Sequence, residues 1–268
     1  MWFERWVTEG YAVRQLSQQS GHSKNKLFKV IDHWLKEVPP GITGSLKKYR
    51  YLIFDGTFLH RPVSIAVLMD ASTGRVICGR YGVSENSESQ LSHFFMSLKD
   101  KGLSPVSCTV DGNPQVIKVL RKIWPDIIIQ RCLVHIQRQG LSWCRRYPKT
   151  AYARKLREIF LRVSCIKTEE EHAIFIKMLI QWEKRYGQEI SKQPEKGWVF
   201  SDIKKARSML LKALPYMFHY LKDPAVSFTT NGLESYFSRL KNHYRQHRGM
   251  RQDKRVSYFN WYFYFKHK

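Results

Sequence analysis

The apolar pattern of this 268-residue chain changes its period along the sequence, and these changes constrain the fold more than any other feature. Between residues 49 and 83, three runs rich in β-branched and aromatic residues are separated by short turn-like segments, which is typical of an antiparallel meander. A helix, a strand, a helix and a strand are predicted next, at 87–102, 105–112, 114–126 and 127–132. After Cys132 the pattern is almost wholly helical. The sequence therefore predicts an α/β core and a long helical segment.

Three strands, a helix, a strand, a helix and a strand, in this order, are the elements of a ribonuclease H-like core. Asp55 ends the apolar run YLIFDGT on the first strand, and Asp111 ends SCTVDGN on the fourth, so we expect these strands to be neighbours. Glu234 lies too far along the chain from Asp111 for a single crossover. We therefore predict a core at 49–268 that is interrupted by an all-helical insertion at about 146–228.

The charge of the chain indicates a polyanionic partner. The formal net charge is +24 and the pI is near 9.9, and clustered Lys and Arg gain free energy when they displace counterions from phosphates. A ribosomal-type binder or a membrane-surface protein would also be basic. With 43% hydrophobic and 14% aromatic residues, however, the chain has the composition of a folded globule and not of a basic tail. Nucleic acid is therefore the expected partner.

Cysteine usage and hydropathy predict an intracellular protein. The five cysteines form no CxxC pair, which favours a reducing cytoplasm over a disulfide framework. No apolar run approaches the roughly 20 residues that span a bilayer, and the first residues lack the pattern of a signal peptide. We expect a cytoplasmic, nucleoid-associated protein without a membrane partner.

The first 38 residues predict a helix-turn-helix module, followed by a linker at 39–48 that is rich in Pro and Gly. One helix is expected at Tyr11–Gln19, and Ser23 is expected to cap a second helix whose apolar residues are Leu27, Val30, Ile31 and Trp34. The second helix would present four polar residues to a major groove: Lys24, Asn25, Lys26 and Lys29. An ordinary helical hairpin has the same pattern and remains open.

Asp55, Asp111 and Glu234 are the candidate catalytic residues and metal ligands. Two Mg²⁺ ions bridged by carboxylates can activate a water or a 3′-hydroxyl on one side of a phosphate and stabilise the leaving oxygen on the other. Taken singly, each acid has an ordinary alternative, because Asp-Gly is also a frequent turn dipeptide. Only their combination on a basic chain points to phosphodiester chemistry.

Four segments in order, DGTF, VDGN, QRCLVHIQR and NGLESYFSRLKNHYR, resemble the DDE transposases of bacterial insertion sequences, in the Mutator-like group. The resemblance covers roughly Tyr49 to Arg251 and the helix-turn-helix before it. It implies a ribonuclease H-like fold with a helical insertion, an acidic triad of Asp55, Asp111 and Glu234, and two Mg²⁺ ions, with Mn²⁺ as a substitute. It also implies cleavage of double-stranded DNA at the element ends, strand transfer into target DNA, and a homo-oligomer on that DNA.

Cys132 and His135 match the Cys-x-x-His signature of these transposases, which places the pair near the active site. They are candidates for catalytic support, although a purely structural role is equally open. Zinc binding would need about four ligands, and no second Cys/His pair has suitable spacing. Related enzymes often carry a zinc ribbon before the helix-turn-helix, and this sequence has no CxxC pair for one.

Basic residues follow Glu234 along its predicted helix, and Arg239, Lys241 and Arg245 are the candidate DNA contacts. Residues 239–255 contain seven Lys or Arg against one Asp, and residues 136–162 contain eight against one Glu. Either run is also compatible with a solvated helix face. The aromatic residues Trp143, Trp182 and Trp198 and the run YFNWYFYFK could stack on bases, but a core role is favoured.

The residues leave two other functions open. One is a catalytically inactive or domesticated transposase that represses by occupying terminal repeats. The other is a ribonuclease H-like nuclease, which would cut without any element-end sequence.

Overall fold

The computed structural model describes residues 2–41, 44–60, 63–193, 200–247 and 249–267. The strands are β1 (Tyr51–His60), β2 (Val63–Asp70), β3 (Val76–Tyr81), β4 (Ser107–Val110) and β5 (Ile128–Arg131). The helices before β5 are α1 (Trp2–Glu9), α2 (Val13–Ser20), α3 (Lys24–Lys36), α4 (Glu88–Lys99) and α5 (Pro114–Ile123). Those after it are α6 (Leu133–Cys144), α7 (Ala151–Arg162), α8 (Glu169–Trp182), α9 (Gln188–Lys192), α10 (Phe200–Ala213), α11 (His219–Lys222), α12 (Asn231–Arg245) and α13 (Gln252–His267).

The five strands form one mixed sheet in the order β3-β2-β1-β4-β5. β2 is antiparallel to both β1 and β3, and β4 is parallel to β5. In the turn after β2, the Asp70 carboxylate accepts hydrogen bonds from the backbone amide and the hydroxyl of Thr73, and Gly74 adopts a φ of +67°. The predicted α/β class, the antiparallel meander and the order of the seven core elements are confirmed.

The chain divides into two compact units that cut across the sequence. Unit 1 comprises Met1–Val106, Asn113–Ile127 and Asn231–Lys268, and unit 2 comprises Ser107–Gly112 and Ile128–Thr230. The two units are defined by contacts between residues and do not mark functional domains. The helix-turn-helix module, linker and insertion boundaries expected from the sequence therefore stay predictions, and residues 42–43 of the expected linker lie outside the described residues.

The core of unit 1 is aromatic and centres on α13. Tyr258, Phe259, Trp261, Tyr262 and Phe263 are all buried, with at most 4% of their surface exposed. The absence of a side chain on Gly79 lets α13 approach β3, since a Cβ there would lie 2.1 Å from the ring of Phe263. The core role favoured for the closing aromatic run is confirmed, and so is that of Trp182, which is 3% exposed in unit 2. Trp198 lies outside the described residues.

The N-terminal helices form as the local signals predict. Gly21 ends α2 in the left-handed conformation, and the Ser23 hydroxyl accepts a hydrogen bond from the Lys26 amide at the start of α3. The expected apolar face of α3 was partly wrong, because Val30 and Trp34 are 36% and 40% exposed. Leu35 is buried in place of Trp34, next to Leu27 and Ile31. Helix α1 was not predicted from the sequence.

Unit 2 is helical around its two strands, with a core drawn from α6, α7, α8 and α10. The helical pattern of residues 202–221 does not form a single helix. The chain forms α10, a 3₁₀ turn at Leu214–Tyr216 that contains Pro215, and α11. A Pro cannot donate the backbone hydrogen bond that an uninterrupted helix needs. Within the described residues, every helix is too short or too polar to span a bilayer.

Candidate acidic site and nucleic-acid interface

Asp55 lies in the middle of β1, opposite Val67 of β2, and only 8% of its surface is exposed. The prediction that Asp55 ends its strand was wrong, because the ladder with β2 continues through Thr57 and beyond. One carboxylate oxygen accepts a hydrogen bond from the Gly56 amide, with an N···O distance of 2.9 Å. A charged group in a buried strand position needs such polar partners, so β1 holds this carboxylate in a defined orientation.

Glu234 lies in the first turn of α12, where the positive end of the helix dipole favours a carboxylate. An adjacent face of α12 is buried in the unit 1 core through Leu233, Phe237 and Leu240. The helix approaches β2 closely at Gly232, since a Cβ there would lie 3.1 Å from the Met69 sulfur. Apolar packing on one face thus leaves Glu234 half-buried at the edge of the core.

Lys241 joins α12 to the strand that carries Asp55. Its ammonium nitrogen donates a hydrogen bond to the Thr57 hydroxyl, with an N···O distance of 2.5 Å. Thr57 lies two residues from Asp55 and so on the same face of β1. Lys241 lies seven residues, or two turns, from Glu234 on one side of α12. Lys241, which the sequence predicts to contact DNA, therefore lies beside the strand that carries Asp55.

Asp111 directly follows β4, as predicted, and belongs to unit 2. Its backbone carbonyl accepts a hydrogen bond of 3.0 Å from the Arg131 guanidinium. Gly112 makes room for this side chain, because its φ is +101° and a Cβ would lie 1.8 Å from the guanidinium carbon. Burial lowers the pKa of Arg131, and the negative charges of Asp111 and Cys132 oppose that shift. The arginine is thus an electrostatic partner of the Asp111 segment.

Cys132 and His135 meet at Thr230 within unit 2. The Cys132 sulfur accepts hydrogen bonds from the Thr230 amide at 3.3 Å and hydroxyl at 3.5 Å. The same hydroxyl lies 3.3 Å from Nδ1 of His135. Burial raises the pKa of the Cys132 thiol, but hydrogen bonds from His135 and Thr230 outweigh it and the net pKa is lowered. The signature pair is therefore an ordered polar cluster, which keeps both its catalytic and its structural interpretation open.

The three predicted acids fall in different units: Asp55 and Glu234 in unit 1 and Asp111 in unit 2. Within the part of the chain that the structure describes, no group of three or more His, Cys, Asp or Glu side chains is arranged to hold a metal ion. Their joint role as metal ligands therefore stays a prediction from the sequence.

The predicted DNA contacts lie at the surface with one exception. Lys24, Asn25, Lys26 and Lys29 are exposed on α3, and Arg239 and Arg245 are exposed on α12. Lys241 differs because it is half-buried against Thr57. A groove of about 820 Å³ runs beside α3 and is lined by residues that include Phe28, Lys29 and Met250. None of the three acids lines this groove.

Four polar residues of these sites were missed by sequence reasoning: Thr57, Glu85, Arg131 and Thr230. The Glu85 carboxyl lies so close to Gly56 that a Cβ there would be 2.7 Å from its carboxyl carbon. Thr57 lies in the DGTF segment and Arg131 in the QRCLVHIQR segment. Gly56 and Gly112, which directly follow Asp55 and Asp111, were the sequence signal that a side chain approaches the backbone at these positions. Thr230 and Glu85 had no comparable signal, because only folding brings them near their partners.

A family model described as Transposase, Mutator family, matches residues 44–211, which is more than half of the chain. The chain belongs to this family. The match includes Asp55, Asp111, Cys132 and His135, and it confirms the resemblance that the four sequence segments indicated. It ends before α12, so the assignment of Glu234 depends on the NGLESYF segment alone.

This Mutator-family chain is also similar to a curated relative, described as the transposase for insertion sequence element IS406 of Burkholderia multivorans. The two are 27% identical over 156 residues, which covers 56% of this chain. The chain matches only 40% of that relative's length.

Proposed function

We propose that this Mutator-family chain is a transposase that cleaves DNA at the ends of an insertion sequence and joins the freed 3′-hydroxyl to target DNA. The observation that carries the proposal is the family match, which spans Asp55 and Asp111. The net charge of +24 supports a DNA substrate, because each phosphate contact gains free energy from counterion release.

We assign the core to the ribonuclease H-like class and the segment between the acids to a helical insertion. The order of strands and helices along the chain supports this assignment, as does the mixed sheet with β1 at its centre. In such a core the acidic residues lie on or directly after strands, and Asp55 and Asp111 have these positions. Glu234, at the start of a helix that follows the insertion, completes the proposed triad.

The donor set fits a hard divalent cation, since three carboxylates offer the oxygen ligands that Mg²⁺ prefers. Asp55, Asp111 and Glu234 would hold two Mg²⁺ ions, with Mn²⁺ as a substitute. When bound, the ions would supply Lewis-acid activation of the attacking oxygen and neutralise charge on the leaving oxygen.

The other residues of the site would position the DNA and the acids. Lys241, fixed by its hydrogen bond to Thr57, would neutralise a phosphate beside the strand of Asp55. Arg131 would keep the backbone of Asp111 in place through its carbonyl. His135, held at Nδ1 by Thr230, would orient the polar cluster after β5. In-line displacement needs this kind of positioning and charge neutralisation more than covalent help from the protein.

The exposed residues of α3 would contact duplex DNA outside the acidic site. Lys24, Asn25, Lys26 and Lys29 lie on α3, which we assign, together with α2, to a helix-turn-helix. Recognition of two element ends at once would require a homo-oligomer on the DNA, and such a protein would be associated with the nucleoid. These assignments follow from the resemblance and from the exposure of the cations.

The test is cleavage in vitro of plasmid DNA that carries the sequences flanking this gene. We expect the unaltered chain to nick at the element ends only when Mg²⁺ or Mn²⁺ is present. Asp55→Asn, Asp111→Asn and Glu234→Gln should each abolish nicking and retain DNA binding. Asp253→Asn is the matched control, since Asp253 is an exposed acid that pairs with Arg251 on the surface.

Three outcomes would contradict the proposal in different ways. Nicking that persists in Glu234→Gln would remove Glu234 from the triad. End-specific binding without nicking by the unaltered chain would indicate a repressor derived from a transposase. Metal-dependent cutting that ignores the end sequence would indicate a ribonuclease H-like nuclease.

A further inference from the structure

The loop between α6 and α7 presents an aromatic ring to solvent. Tyr147 is 78% exposed, against 55% for Phe28, the next most exposed aromatic residue among those that the structure describes. Large aromatic side chains usually contribute to a core, as the rings of α13 do in unit 1. An exposed ring on a loop whose backbone is held in place is more typical of a binding contact.

The backbone holds this loop in an unfavourable but defined conformation. Arg145 has a φ of +65° and a ψ of 164°, and it is the one non-glycine residue with a positive φ among those described. Only glycine enters this region readily, and strained residues concentrate at functional sites. Arg154 of α7 donates hydrogen bonds to the carbonyls of Pro148, at 3.3 Å, and Lys149, at 2.8 Å. The Arg145 amide donates a hydrogen bond of 3.3 Å to the Ser142 carbonyl, so the backbone of the loop is held on both sides of Tyr147.

The sequence around the ring is rich in cations. Residues 145–157 contain six basic residues and no acidic one: Arg145, Arg146, Lys149, Arg154, Lys155 and Arg157. Lys155 pairs with the next residue of opposite charge, Glu158, with an N···O distance of 2.9 Å. The guanidinium carbon of Arg146 lies 5.4 Å from the centre of the Tyr147 ring. Aromatic rings that stack on bases and cations that track phosphates are combined in proteins that bind unpaired nucleic-acid strands.

We propose that the loop 145–149 binds DNA at a point where one base is unstacked, with Tyr147 on the base face and the cations on the flanking phosphates. A fully paired duplex offers the same phosphates but no accessible base face. The inference names the form of DNA that this loop binds, and it rests on the proposed function for the choice of DNA as partner.

The test compares two labelled DNA duplexes of one sequence, one fully paired and one with a single unpaired adenine. Binding of the full chain is measured in EDTA, so that no cleavage contributes. We expect the unaltered chain to prefer the bulged duplex. Tyr147→Ala should weaken binding of the bulged duplex about tenfold and that of the paired duplex less than about twofold. Tyr147→Phe should keep the preference, because the ring remains.

Two further variants separate stacking from charge and from general surface effects. Lys149→Ala should weaken binding of both duplexes to a similar extent, since it removes a phosphate contact. Ile180→Ala, which alters an apolar side chain on α8 that is 61% exposed, should change neither. All four variants alter exposed side chains, so each should fold.

The inference is overturned if the unaltered chain shows no preference for the bulge, or if Tyr147→Ala affects both duplexes equally or neither. The proposed function is judged by the separate nicking assay. A Tyr147-dependent preference in a chain that never nicks would refute the transposase activity alone, whereas end-specific nicking without that preference would refute the role of the loop alone.

Discussion

The two compact units hold their acidic residues by different means. In unit 1, Asp55 lies on a strand and Glu234 on a helix that pack into one aromatic core, to which α13 contributes Phe259 and Tyr262. In unit 2, Asp111 follows a strand of only four residues, and its carbonyl is held by Arg131. The neighbouring segment 227–230 is tied down by hydrogen bonds to Thr109 and to the Cys132 sulfur.

This difference predicts different sensitivities in the two units. Apolar packing is non-directional, so the position of Glu234 in unit 1 should respond mainly to lost or added volume. Hydrogen bonds are directional, so the position of Asp111 in unit 2 should respond to the loss or displacement of single polar groups. Matched substitutions in the two units test this difference.

The largest expected effect is that of Phe259→Ala in unit 1. Phe259 is fully buried, and its ring centre lies 4.9 Å from that of Tyr81 and 5.1 Å from that of Tyr244 on α12. The cavity should lower the free energy of unfolding by about 3–5 kcal/mol. Because Tyr244 loses a partner, hydrogen exchange of the α12 amides should accelerate, which denaturation with urea and exchange measurements would show.

Phe175→Ala is the matched control for this substitution in unit 2, since Phe175 is only 1% exposed. It should reduce stability by a similar amount and leave the local exchange of α12 unchanged. If hydrogen exchange of the α12 amides accelerates equally in both variants, the aromatic core of unit 1 does not specifically stabilise the helix that carries Glu234.

The second effect is that of Gly112→Ala in unit 2. The new Cβ would meet the Arg131 guanidinium, and the φ of +101° is unfavourable for alanine. Strain and displacement together should cost about 1–3 kcal/mol. DNA nicking should fall as the hydrogen bond from Arg131 to Asp111 is lost. Gly74→Ala is the control, since its φ is +67° with no atom within 4 Å, and it should cost about 1 kcal/mol without an effect on nicking. Equal loss of nicking in both variants would rule out the Arg131 contact as its cause.

A smaller effect is expected from Thr230→Val, which removes the hydroxyl and keeps the backbone amide. The loss should be about 1 kcal/mol of stability. The pKa of Cys132 should rise, because one donor to the thiolate is gone while burial still opposes ionisation. The thiolate should then form at higher pH than in the unaltered chain, which the ¹³Cβ shift of labelled cysteine would report.

Thr230→Ser is the matched control because it restores a hydroxyl at the same position, and its Cys132 titration should follow that of the unaltered chain. Cys78 and Cys144 do not obscure the measurement, since burial raises their pKa values to about 11 and about 12. An unshifted titration in Thr230→Val would show that the hydroxyl contributes nothing to the cluster.

The smallest effect concerns Lys241→Met, which removes the charge and keeps most of the side-chain length. DNA affinity should fall, and the slope of log affinity against log salt should become shallower by about one unit, as expected for one lost phosphate contact. Lys177→Met on the exposed surface of α8 is the control and should leave the slope unchanged. A slope that does not change in Lys241→Met would rule out the phosphate contact.

Much of the fold was predictable because its signals are local. The hydroxyl cap of Ser23 and the helix that carries Glu234 both lie where the sequence predicts them. The prediction for Asp55 failed because the apolar run stops there, whereas strand β1 continues. A strand ends where its hydrogen-bonded ladder ends, and the polarity of the next residues does not reveal that point. Periodicity alone likewise could not show that Val30 and Trp34 would stay partly exposed on α3.

By itself, the sequence determined the order of strands and helices from β1 to β5, the charge of +24, the family and the three acids proposed for catalysis. Tertiary structure decided which side chains support those acids. Lys241 meets Thr57 across 184 residues of chain, and Thr230 meets Cys132 across 98. Such contacts depend on how distant segments pack, and no local propensity or spacing encodes that packing.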